Sequence, residues 1–114
     1  MKVIVCGASR AQNREEVFDA LDALHAREAI TLLINGGARG VDLFSSEWAR
    51  SRSVPLQTYK AAHWETGTKA FFEVNEQMLA EQSPDLVLAF PGGAVTDHLV
   101  SLAQSRGIAV QVMC

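Results

Sequence analysis

Leu33-Ile34-Asn35-Gly36-Gly37-Ala38-Arg39-Gly40-Val41-Asp42 is the stretch on which the fold turns. An apolar run reaches a glycine pair, turns, and passes into a segment with helical spacing. Val41, Phe44 and Trp48 fall at i, i+3 and i+7, with Ala49 adjacent. A strand that runs through a glycine turn into a helix is half of a βαβ unit. Read from sequence alone, such a turn leaves backbone N–H groups at a helix N-terminus, where a phosphate or another anion is stabilised.

The same pattern extends in both directions. Upstream, Lys2–Cys6 is a continuous apolar strand that ends at Gly7-Ala8-Ser9-Arg10. Asn13 is placed to cap a helix carrying Glu15 and Glu16 in its first turn and Val17, Leu21 and Leu24 on its inner face. His25 and Arg27 lie near its C-terminal end, and the second strand is expected over Ile30–Asn35. Downstream, Pro55 bounds a third strand, Leu56–Tyr59, and Ala61–Thr68 reads as a loop. A third helix is expected from Lys69 to about Glu81, stopped by Ser83-Pro84, with Phe71, Phe72, Met78 and Leu79 as its apolar content. Asp85–Phe90 is the fourth strand and ends at Pro91-Gly92-Gly93. Thr96 or Asp97 is expected to cap the last helix, Gly107 to stop it, and Ile108–Val112 to form the last strand.

Strands alternating with helices call for a parallel sheet with right-handed crossovers and helices on both faces. The expected architecture is a three-layer α/β Rossmann-like fold, a single domain over residues 1–114, whose five strands run in the order 3-2-1-4-5. That order follows from the glycines. Gly7, Gly36-Gly37 and Gly92-Gly93 leave strands one, two and four, and they converge only if those strands are neighbours. Ligands of such sheets sit beyond the C-terminal strand edge, where the strand order reverses.

Composition excludes several classes. The chain is 48% hydrophobic and 20% charged with a net charge of −3, which suits a folded domain. An acidic balance disfavours duplex or single-stranded nucleic acid as a partner. Met1-Lys2-Val3-Ile4-Val5 is too short an apolar run for a signal peptide, no segment approaches a membrane span, and a cytoplasmic location is expected. Cys6 and Cys114 make neither a disulfide framework nor a metal spacing and read as free thiols. No cofactor or metal is expected.

The candidate ligand-binding residues are Gly7, Ser9, Arg10, Gly36, Gly37, Arg39, Gly40, Asp42, Asn75, Gly92, Gly93 and Thr96. Arg39 offers a bidentate donor to a phosphate or carboxylate. Asp42 serves either as an N-terminal helix acid or as an acceptor for a ribose hydroxyl. Ser9 either donates to a phosphate or caps its own loop. Thr96 is either a cap or a phosphate contact. Asn75 has poor helix propensity at its position, which points to a local hydrogen-bonding role. His63-Trp64 can stack on a base but reads better as a core edge. Trp48, Phe71, Phe72 and Met78 read as core. His98 is the one histidine near the site and reads as solvated. No catalytic residue is assigned, since no triad, ligand cluster or carboxylate pair stands out.

These residues resemble the YspA-related branch of the SLOG superfamily. The resemblance rests on Val5-Cys6-Gly7, on Ile34 through Asp42 with Trp48-Ala49 beyond, on Asn75 with Met78-Leu79, and on Asp85 through Gly93. It implies a Rossmann-like sheet and a site for a nucleotide or nucleotide-derived small molecule. Relatives include the LOG phosphoribohydrolases, molybdenum-cofactor carriers and a DNA-processing protein, and many are dimers, so a homodimer is expected. The chain departs from the pattern at four places. Ala8 and Val95 replace common glycines, Val74 replaces a common arginine, and Leu99 stands where LOG enzymes place a glutamate. The resemblance therefore implies ligand binding or sensing first. A phosphoribohydrolase-type reaction and a non-catalytic interaction module with a decayed site are the alternatives.

Overall fold

A computed structural model describes residues 1–60 and 67–113. The elements alternate along the chain as β1 (Lys2–Cys6), α1 (Arg14–Arg27), β2 (Leu32–Asn35), α2 (Val41–Ser51), β3 (Leu56–Thr58), α3 (Thr68–Gln82), β4 (Leu86–Ala89), α4 (Ala94–Ser105) and β5 (Ala109–Val112). All strand pairs are parallel and the sheet order is β3-β2-β1-β4-β5. The order expected from the glycine turns is the one observed.

Successive side chains of a strand point to opposite faces, and that alternation builds two cores. Val3, Val5, Leu33 and Leu88 pack under α1 and α2 with Val17, Leu21, Leu24, Val41 and Trp48. Ile4, Cys6, Ile34, Val87 and Ala89 pack under α3 and α4 with Val74, Met78, Leu79, Leu99 and Ala103. The central strands are therefore apolar over their buried positions except at Asn35, because both of their faces are covered.

Several boundaries move for visible reasons. β2 starts at Leu32 rather than Ile30, because the Ile30 N–H donates to His25 Nδ1 at 2.9 Å and closes the α1–β2 turn instead of pairing in the sheet. Asp85 stays out of β4, and its carboxylate accepts from the Lys2 N–H at 2.8 Å. Asn13 caps α1 as expected, accepting from the Glu16 N–H at 3.1 Å. α4 begins earlier than expected. Gly93 is its N-cap and no side chain caps it, so neither Thr96 nor Asp97 holds that role. Gly107, at φ +71°, follows the C-cap Arg106 and ends the helix. Among the described residues, no helix is long and apolar enough to cross a membrane.

Candidate functional site

β1 lies between β2 and β4, so the chain leaves the sheet in opposite directions on its two sides, and the loops after these three strands meet above their C-terminal ends. Ala8 ties them together. Its N–H donates to the Pro91 carbonyl at 2.9 Å, and its carbonyl accepts from the Val41 N–H at 3.3 Å. Gly40 makes this approach possible. It sits at φ +65°, and a Cβ there would overlap the Ala8 carbonyl oxygen.

The β2–α2 turn differs from the open anion cradle that its sequence suggests. Most of its N–H groups are engaged within the protein. Gly37 donates to Asn35 Oδ1 at 3.1 Å, Ala38 donates to Asp42 Oδ2 at 3.2 Å, and Val41 donates to Ala8. Asn35 is fully buried and holds the turn from below, with its side-chain amide donating to the Asp42 carbonyl, Ser45 Oγ and Ser46 Oγ at 2.8–3.1 Å. The glycines here shape the loop, and the Asp42 carboxylate already takes the place that an anion would occupy.

Two joined spaces open above this knot. An inner chamber of about 250 Å³ lies between the loops and the α3–α4 layer. Gly7, Ser9, Gly36, Asp42, Asn75, Gly93 and Thr96 line it together with apolar Val5, Val74, Met78, Val95 and Leu99. An outer groove of about 640 Å³ is lined by Ser9, Arg10, Gly36, Gly37, Ala38, Arg39, Lys60 and Phe71. Ser9, Gly36, Ala38 and Phe71 border both. Ten of the twelve expected site residues thus line one space or the other. Gly40 and Gly92 do not. Gly40 is buried against the β1 loop, and the exposed Gly92 leaves room for the Thr96 side chain and the Ala8 backbone.

The model of the YspA, cpYpsA-related SLOG family matches residues 1–67. The chain is also 34% identical over 118 residues to the Gene 61 protein of Mycobacterium phage D29, covering 96% of this chain and 93% of that protein. The chain belongs to this SLOG family.

Three apolar positions singled out in the sequence meet in the chamber. Val74, Val95 and Leu99 all line it, and no lysine, arginine or histidine does so among the described residues. Among the described residues its ionisable groups are Asp42 and Cys6. Burial pushes the Asp42 carboxyl up to about 6, against which the Ala38 and Gly36 N–H groups stabilise its charged form. Burial, and then the neighbouring Asp42 charge, pushes the Cys6 thiol up to about 12. Among the described residues no cluster of histidine, cysteine, aspartate and glutamate is arranged to hold a metal ion.

Asn75 has the local role that its sequence position suggests. Its side-chain amide donates to the Val95 carbonyl at 3.0 Å and lies 3.1 Å from His98 Nδ1, which fixes the start of α4 against α3. His98 is not solvated as expected. It is half-buried and stacks on Phe72 with ring centroids 4.1 Å apart, which also draws Phe72 out of the core. Phe71 is likewise half-buried and divides chamber from groove, whereas Trp48 and Met78 are core. His63-Trp64 and Cys114 lie outside the described residues.

Sequence reasoning missed Asn35 and Lys60. Asn35 carries a signal, since a polar residue closes an otherwise apolar buried strand just before a glycine pair. Lys60 carries none, because only the β2–β3 pairing brings it beside Gly37.

Proposed function

We propose that this chain binds or senses a nucleotide or nucleotide-derived small molecule in the space formed by the β1, β2 and β4 loops. One observation carries the reading. Three loops knotted at Ala8 enclose a chamber that opens onto a cationic groove, at the point of the sheet where strand order reverses. Membership of the SLOG family supports the same ligand class. A thermal-shift panel of ribonucleotides, dinucleotides and ADP-ribose tests it. A ligand at a hundredfold excess over its dissociation constant raises stability by about 2.7 kcal/mol, about ten degrees for a chain of this size. A panel that leaves the melting temperature unmoved at millimolar ligand overturns the proposal.

A second reading, hydrolysis of a nucleoside phosphate of the phosphoribohydrolase type, is favoured by Asp42. A carboxyl held near 6 in an apolar chamber is suited to give and take protons at neutral pH. Chromatography of bases released from ribonucleoside monophosphates reads it directly, with Asp42→Asn as the inactive control. Release that persists in that variant sinks the assignment.

A further inference from the structure

We propose, building on the nucleotide-binding reading, that the ligand is held with its phosphate outward. The phosphate docks at Arg10, Arg39 and Lys60 in the groove, and the uncharged ring or sugar enters the chamber, away from any anion site at the start of α4.

Charge decides the direction. The groove presents three cations and no acid among its described residues, whereas the chamber holds the Asp42 carboxylate and no cation among its described residues. A phosphate pushed inward would meet a like charge in a low-dielectric space, where repulsion is strongest. The N-terminus of α4 does not offset this. Val95 lines the chamber there with Val74 and Leu99, three uncharged residues that offer an anion no counter-charge.

Size and polarity agree. A chamber of about 250 Å³ is smaller than the ~300 Å³ at which ordinary small-molecule pockets begin, so a nucleotide that fills it must extend outward. The way out runs past Phe71 and Ser9, which border both spaces. Inside, Asn75 is 3% and Thr96 7% exposed. Both line the chamber, yet no donor or acceptor among the described residues bonds Asn75 Oδ1 or Thr96 Oγ1. Such groups suit hydroxyls or ring nitrogens, which are neutral and need few partners.

Calorimetric titration of the full chain with the ribonucleoside 5′-monophosphates, at several salt concentrations, tests the orientation. Arg39 and Lys60 are exposed, so Arg39→Ala with Lys60→Ala leaves the fold intact. The expected result is a loss of about tenfold or more in monophosphate affinity and a shallower dependence on salt. Val95→Gly gains no affinity for the monophosphates, because no phosphate is pressed against that side chain. A double variant that binds as tightly as the parent overturns the orientation, as does a Val95→Gly variant that binds at least tenfold more tightly. If no monophosphate binds the parent chain, the orientation falls, and the nucleotide reading falls with it only where the panel of dinucleotides and ADP-ribose also leaves the melting temperature unmoved.

Discussion

The Asp42 carboxylate accepts the Ala38 N–H at 3.2 Å and fills, from within the chain, the turn that its sequence presents as an anion site. The same carboxylate is buried and faces the chamber. Its proton affinity follows from that placement. Burial disfavours the charged form more strongly than two backbone N–H groups favour it, so the carboxyl titrates near 6 instead of 3.8.

That shift makes stability depend on pH in a definite direction. The folded state binds its proton more tightly than the unfolded state does. The stabilisation is therefore complete below pH 3.8 and disappears as pH rises through about 6. The full effect is about 3 kcal/mol. Asp42→Asn keeps an acceptor for the Ala38 N–H and removes the charge. Urea unfolding should find the variant more stable than the parent at pH 7.5 by about 1–3 kcal/mol, with the gap closing by pH 4. A variant less stable at pH 7.5 would show that the ionised carboxylate holds the turn.

The Cys6 thiol shares this chamber and is expected to be inert. With its titration pushed up to about 12 from 9.0, the thiolate fraction at pH 8 falls about a thousandfold. In a Cys114→Ser background, iodoacetamide should label the native chain at pH 8 at least about a hundredfold more slowly than the urea-unfolded chain. Comparable rates would mean that the chamber opens readily.

How far the fold could be read from sequence follows from what each residue reports. Apolar runs such as Val3-Ile4-Val5 report burial on two faces, and the glycines after β1, β2 and β4 report which strand ends meet, so the topology was legible. The candidate site was legible only as a place on the fold. Arg39, Gly36 and Thr96 do stand at the two spaces. What each does there was not legible, because hydrogen bonding across the fold decides it. The turn's N–H groups are taken by Asn35, Asp42 and Ala8, and no local pattern marks Ala8 as the residue that joins three loops. The stacking of His98 on Phe72 likewise depends on how α3 meets α4.

Asn35 should prove the largest single polar contributor to the turn. Its side chain bonds Gly37, Asp42, Ser45 and Ser46 and has no exposed surface. Asn35→Ala leaves the Gly37 N–H without its acceptor and opens a small cavity, which together cost about 2–4 kcal/mol. Asn35→Asp retains the acceptor for Gly37 but replaces the donating amide with a buried charge close to Asp42, and should cost at least as much. Chemical unfolding of both variants checks this, and losses under about 1 kcal/mol would mean that the loop relaxes without its anchor.

Gly40 and Gly107 separate two reasons for needing glycine. Both have positive φ, +65° and +71°. At Gly107 nothing lies near the position a Cβ would take, so Gly107→Ala carries only the backbone cost, about 1 kcal/mol. At Gly40 the added carbon would meet the Ala8 carbonyl oxygen and the Ser9 backbone. Relief requires the β1 loop to move away from α2, which breaks the Val41–Ala8 hydrogen bond and loosens the knot that closes the chamber. Gly40→Ala should therefore cost about 3 kcal/mol or more in urea unfolding. It should also raise amide exchange at Ala8 and Val41, whose N–H groups make the inter-loop bonds, while leaving the central strands protected. Equal losses for the two variants, with exchange at Ala8 unchanged, would show that backbone strain alone governs both sites and that the loops are held together by something other than this contact.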